Sequence, residues 1–202
     1  MNKLIIIGAS GHGRVLADIA ELVGYSDIAF LDDSDVKACG MHPVVGRCAD
    51  AAKYKDCDFI VAIGNAAVRR KIQSALAADG SKFVSLIHPA ATVASSASIG
   101  EGSAVMAGAV VNPYAKIGKG CIVNTCASVD HDCTVGDFAH VSIGAHVAGT
   151  VNIGDNTWIG AGATVINNIA ISADCMIGAG AVVVKSITDP GTYVGVPARK
   201  VK

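Results

Sequence analysis

Seventeen valines and isoleucines recur at a spacing of six, from Ile87 through Val93, Ile99 and Val105 to Val183, without a miss. Helices repeat near 3.6 residues and strands at 2, so neither explains this period. A six-residue aliphatic period marks a parallel β-helix, in which each side of a coil turns one branched residue into a narrow core. Three sides make a triangular coil of eighteen residues, and the run supplies about five and a half coils stacked at strand spacing, ~4.8 Å. Because the run is unbroken, no long loop is expected to leave the coils. The chain has only four Phe, four Tyr and one Trp, which suits a core too narrow for large rings.

Half of the 202 residues are apolar (51%) and the formal net charge is −1. A large core can be buried, and nothing in the charge suggests a nucleic acid partner. The apolar run that begins at Leu4 ends by Gly8. That is too short for a signal peptide or a membrane span, so no span is expected and the cytoplasm is the expected location. The seven cysteines include no C-x-x-C pair. Cys121, Cys133 and Cys175 fall four residues after a repeat aliphatic, a slot held elsewhere by Ala109, Ala127 or Ala163. Their expected role is small buried filler, with no zinc site or disulfide framework.

Residues 1–86 read differently from residues 87–202. Lys3 to Gly8 reads as a buried strand, and residues 12–23 carry Val15, Ile19, Leu22 and Val23 at helical spacing. Strands follow at Ile28–Leu31 and Phe59–Ile63, then a helix through Val68, Ile72 and Leu76, then a strand from Phe83 to Ile87. Alternating strands and helices predict a small Rossmann-like parallel sheet ahead of the repeats.

The turn Gly8-Ala9-Ser10-Gly11-His12-Gly13 follows the first strand and opens a helix. Glycines let backbone amides approach a phosphate, and a helix N-terminus favours negative charge. The spacing is G-x-x-G-x-G, not the dinucleotide G-x-G-x-x-G. Two readings stand: a nucleotide or nucleotide-sugar phosphate site, or a tight turn that needs only steric room. Asp32 and Asp33 end the second strand, and Gly64 and Asn65 the third, at the edge where open α/β sheets hold ligands. A carboxylate there can accept hydrogen bonds from ribose or base, or be a solvated turn acid.

In the repeats, Val129-Asp130-His131-Asp132 is followed by His140 and His146. Eighteen-residue stacking puts Pro113 and Gly149 on either side of His131, and Gly149 is expected to leave open space beside the imidazole. A histidine near neutral pKa can take a proton from an attacking amine or hydroxyl, and a nearby carboxylate raises its basicity. Alternation sends residue 132 to the face opposite 131, so the contact needs a corner here or a partner from another chain. The residues alone leave open whether Asp130 or Asp132 serves. A zinc site on His131, His140 and His146 is the rival reading, and imidazoles alone do not specify one.

The order GASGHG, LDD, AIGN, NTCASVDHDCTVGDFAHVSIGAHVAG and VGVPARK resembles the bacterial nucleotide-sugar acetyltransferases over the whole chain. It is similar to members of the bacillosamine, viosamine and perosamine branches, and sialic acid O-acetyltransferases are relatives. The resemblance implies a left-handed hexapeptide-repeat β-helix and a homotrimer with active sites between neighbouring β-helices. It implies acetyl-CoA as co-substrate, no metal, and a nucleotide amino sugar bound by the front domain. Ser10, Gly11, His12, Asp32, Asp33 and Gly64 would contact the sugar nucleotide. His131 would be the base and Asp132 its carboxylate, while His140, Ala161 and Ala179 would line the coenzyme groove and Asn124 help orient the amine. A relative carries glutamate at position 132; aspartate is one methylene shorter, which makes the carboxylate–imidazole distance decisive.

The expected activity is therefore acetyl-CoA-dependent N-acetylation of the 4-amino group of a nucleotide-linked 4-amino-4,6-dideoxy sugar. The alternatives are O-acetylation of a sugar of the sialic acid type and a non-catalytic trimer that binds sugar nucleotides.

Overall fold

The computed structural model describes residues 3–201. Two compact units divide between Pro89 and Ala90.

The first unit is built on a six-stranded sheet. Its strands are β1 (Leu4–Ile7), β2 (Ile28–Leu31), β3 (Ala38–Cys39), β4 (His42–Gly46), β5 (Asp58–Val61) and β6 (Lys82–Phe83). Their order across the sheet is β3-β4-β2-β1-β5-β6, parallel except for the β3–β4 hairpin. All four residues of β1 are fully buried, as a central strand covered on both faces requires. Helix α1 (Gly11–Leu22) follows β1 and helix α2 (Ala66–Ala78) follows β5. Ile72 and Leu76 of α2 pack on the face carrying Ile5, Ile7, Leu31 and Phe59. Gly13 of α1 lies against Phe30, which alternation places on the other face. The chain leaves β1 in one direction toward β2 and the other toward β5, so the topological switch point lies between β1 and β5.

Three features of this unit differ from the sequence reading. The β3–β4 hairpin extends the sheet edge; Pro43 sits in β4 opposite Ala38, a place where an edge strand tolerates proline. A 3-10 turn spans Cys48–Tyr54. The strand expected over Phe83–Ile87 is two short pieces, Lys82–Phe83 and Leu86–Ile87. Its first piece pairs with β5, and the Val84 amide makes a last bond to Phe59 O at 3.0 Å before the chain leaves the sheet.

The second unit is a left-handed parallel β-helix. Its two-residue strands pair in register with residues eighteen positions on, as Val111 with Val129 and Val129 with Val147. Every repeat aliphatic from Val105 to Val183 is at most 4% exposed. Cys121, Cys133 and Cys175 are buried free thiols among alanines of the same slot. Ser103 and Thr157 occupy that slot too; each hydroxyl donates to a backbone carbonyl, Gly118 O and Ser172 O, at 2.8 Å. The buried polar groups are thereby satisfied.

A second six-residue register runs through the corners. The backbone is left-handed (φ between 55° and 69°) at residues 102, 108, 114 and every sixth residue to 180. Only six of these are glycine; Tyr114, Cys126, Asp132, Phe138, Thr150, Asn156, Asn168 and Asp174 adopt the same conformation. Asparagine and aspartate tolerate this conformation, whereas at Tyr114, Cys126, Phe138 and Thr150 it costs roughly 1–2 kcal/mol, which coil stacking must offset.

Candidate active site

Strand Ser128–Val129 ends in a corner at which Asp132 has φ 58°. The left-handed turn brings adjacent side chains together that an extended chain would hold apart. The His131 Nδ1–H donates to Asp132 Oδ2 at 2.8 Å, with both side chains about half exposed (56%). The shorter acid therefore reaches the ring. Its hydrogen bond raises the His131 pKa, against a small desolvation effect and with help from the Asp130 charge. With Nδ1 protonated toward the carboxylate, Nε2 is left as the acceptor nitrogen. Asp130 touches the backbone instead: its Oδ1 accepts the His131 N–H at 2.7 Å and the Asn112 Nδ2–H at 2.8 Å.

Stacking places His131 between Pro113 and Gly149 as expected: the Asp132 amide donates to Pro113 O and the Thr150 amide to His131 O. The expected open space is not there. The imidazole occupies it, so that a Cβ on Gly149 would lie 2.5 Å from Nε2.

A groove of about 400 Å³ forms elsewhere on the coils, lined by Asn124, His140, Ser142, Ile143, Trp158, Met176 and the small residues Gly160, Ala161, Gly178 and Ala179. It gathers His140, Ala161 and Ala179, the three proposed coenzyme residues. His140 is 8% exposed and stacks on Trp158 with ring centroids 4.8 Å apart. Asn124 Nδ2 donates to His140 Nε2 at 3.1 Å. Asn124 thus belongs to the groove, not to the His131 corner. The sequence reading missed Trp158, although the eighteen-residue ruler sets it directly over His140. Strand Ser128–Val129 separates this corner from that of His131, so one chain does not bring the two halves together.

The three histidines of the zinc reading are engaged separately, His131 with Asp132, His140 with Asn124, and His146 Nδ1 with Ser128 Oγ at 2.9 Å.

In the first unit, the six proposed substrate residues gather at the carboxyl edge of the sheet. Gly8 (φ 109°) packs against Ala62 O, and Gly13 faces Gly8 O, where a Cβ would lie 2.3 Å away. These two glycines serve the turn itself. Gly11 and Gly64 have nothing within 4 Å of a Cβ position, leaving backbone open to an incoming group. Ser10 caps α1 without a side-chain hydrogen bond, and no acid lies in the first turn, which keeps the helix end suited to an anion. Asp32 Oδ2 accepts the Ala9 N–H at 2.6 Å, and Oδ1 accepts from Ser34. Burial pushes the Asp32 pKa up, but the Ser34 and Ala9 hydrogen bonds outweigh it and hold it low. This carboxylate ties β2 to the glycine turn. Asp33 accepts the Cys48 N–H at 2.9 Å. Burial, aided by the Arg69 charge, lowers the His12 pKa to about 4, and its buried Nε2 finds no hydrogen-bond partner among the described residues. Arg69 itself is buried and donates to Ile63 O and Gly64 O, fixing the loop after β5.

Residues 3–76 match the family profile of the PglD N-terminal domain, and residues 150–185 the bacterial transferase hexapeptide profile (six repeats). The acetyltransferase domain of PglB from Neisseria gonorrhoeae FA1090 superposes over 100% of both chains, with 43% identity and a TM-score of 0.97. The chain belongs to the family of this PglB acetyltransferase domain. A second member, PerB from Caulobacter crescentus, solved with CoA and GDP-perosamine, is 36% identical over 100% of this chain and 98% of its own, with a TM-score of 0.96. UDP-N-acetylbacillosamine N-acetyltransferase of Bacillus subtilis (strain 168) is 36% identical over 113 residues. That match spans 53% of this chain and about half (52%) of the Bacillus protein. Among the described residues no helix is long and apolar enough to cross a membrane.

Proposed function

We propose that the protein transfers an acetyl group from acetyl-CoA to the 4-amino group of a nucleotide-linked 4-amino-4,6-dideoxy sugar. The observation that carries this is the His131–Asp132 pair, at 2.8 Å on an exposed corner, with Nε2 free to accept a proton. The amine nitrogen attacks the thioester carbonyl carbon while Nε2 removes its proton. The tetrahedral intermediate then expels the CoA sulfur, which takes the proton back from the imidazolium, and the amide is released. No covalent enzyme intermediate is needed. The groove at His140, Ala161 and Ala179 takes acetyl-CoA. The edge formed by Ser10, Gly11, His12, Asp32, Asp33 and Gly64 takes the sugar nucleotide, with Asp32 acting mainly by shaping the glycine turn.

The base and the groove lie on different corners of the coil. A homotrimer completes the site by setting the His131 corner of one copy against the groove of the next. Members of the family solved with acetyl-CoA, or with CoA and GDP-perosamine, support the choice of substrates.

The test is His131→Ala, assayed by thiol release with saturating acetyl-CoA and a panel of nucleotide amino sugars. Loss of roughly 10²–10⁴-fold in kcat is expected for removal of a general base. Turnover near wild type would refute the assignment, and product only from hydroxyl acceptors would replace N- by O-acetylation.

A further inference from the structure

His131 stands on an exposed corner, and something must hold the backbone from which its ring projects. Asp132 fixes the ring through Nδ1, and its own amide and the His131 carbonyl tie the turn to Pro113 O and the Thr150 N–H of the adjoining coils. The His131 amide, where the ring's own residue begins, is held by Asp130. Its Oδ1 receives two donors, the His131 backbone N–H at 2.7 Å and Asn112 Nδ2 at 2.8 Å. Asn112 belongs to the previous coil, eighteen residues back, and its own amide donates to Val129 O at 2.9 Å. Its main chain is therefore held by the β-helix ladder.

We propose that Asn112 and Asp130 form a clamp that positions His131: Asn112 pins the Asp130 carboxylate on the His131 amide and fixes the direction in which the imidazole leaves the coil. This rests on the reading of His131 as the base. The two acids divide the task, Asp132 orienting the ring and Asp130 the main chain. Asn112 touches neither the ring nor any group that reacts, and is a positioning residue. The acids acting on the imidazole are Asp132 and Asp130. Its neighbours on the adjoining coils, Asn112, Pro113 and Tyr114 on one side and Ala148, Gly149 and Thr150 on the other, carry no charge. The nearby Cys133 thiol is pushed up by burial and stays neutral.

The test compares wild type, Asn112→Ala, Asp130→Asn and His131→Ala by kcat, KM for each substrate, the pH profile of kcat/KM, and thermal melting. Asn112→Ala is expected to lower kcat about tenfold through misplacement of the base, with both KM values within about twofold. Asp130→Asn keeps the shape and an acceptor oxygen but removes the charge that favours the imidazolium. Its acid limb should therefore move to lower pH with little change in melting temperature. If Asn112→Ala proves too unstable to assay, Asn112→Ser, which is too short to reach the Asp130 carboxylate, decides by the same kcat and KM readout. An unchanged kcat in the Asn112 variant overturns the clamp when His131→Ala is inactive. An active His131→Ala overturns the base reading and the clamp together.

Discussion

Gly149→Ala adds one methyl group where the His131 ring already lies. The new Cβ falls 2.5 Å from Nε2, 2.7 Å from Cε1 and 3.2 Å from Cδ2. Carbon atoms in good contact sit about 3.5–4.0 Å apart, so the ring must retreat by about 1 Å. Gly149 is not among the left-handed residues, so alanine meets no backbone penalty and the whole effect falls on the imidazole. Rotating the ring away breaks the 2.8 Å contact to Asp132; moving the corner displaces Nε2 from the amine. A misplacement of this size costs on the order of 10²-fold in rate, about 2.7 kcal/mol of barrier. Because His131 is half exposed, the ring can yield without unpacking the core, and stability should change by less than about 0.5 kcal/mol. The assay is CoA thiol release, with kcat and KM measured separately and melting followed in parallel. The expected result is a kcat lower by roughly 30- to 300-fold, an unchanged KM for acetyl-CoA and a melting point within about 2 °C of wild type. A kcat within twofold of wild type would refute the reasoning, since the nitrogen in contact with Gly149 could not then be the working base.

His12 is held near pKa 4 when folded and titrates near 6.5 when unfolded. The unfolded chain binds the extra proton between these values, so stability falls as pH drops through that window. Between pH 7 and 5 the contribution is about 2 kcal/mol, and His12→Gln should flatten the stability profile there by that amount in urea titrations. Trp158→Ala removes the ring stacked on His140 and should weaken acetyl-CoA binding about tenfold by calorimetry; unaltered affinity would place the donor elsewhere. Gly64→Ala projects a methyl into open space, so it should raise KM for the nucleotide sugar severalfold and leave melting unchanged. A loss of stability with normal KM would assign Gly64 to the fold.

The coil was legible because one aliphatic per side is a requirement of a narrow triangular core, and Val105 to Val183 obey it without exception. The central strands were legible for the same reason: Leu4–Ile7 and Ile28–Leu31 are continuous apolar runs buried on both faces. The β3–β4 hairpin was not, since His42–Gly46 is half exposed and interrupted by proline. The corner register was hidden because only six of its fourteen residues are glycine. The ruler found Gly149 beside His131 but not that the imidazole fills the gap, which depends on the side-chain rotamer. From its position Asp32 reads as a ligand carboxylate or a solvated turn acid, and its bond to the Ala9 amide could come only from the fold.

The corners set stability and chemistry against each other at single residues. At position 132 the backbone would be most at ease with glycine, as it is at Gly102, Gly108, Gly120, Gly144, Gly162 and Gly180. A glycine there would relieve some backbone strain, less than for most residues because aspartate tolerates this conformation, and would remove the carboxylate proposed to orient the base. Selection for a tougher coil would therefore act against the proposed site at this corner. Conversely, any sixth residue along the stack is a place where a functional group can be mounted on an otherwise repetitive wall, at the expense of a strained turn.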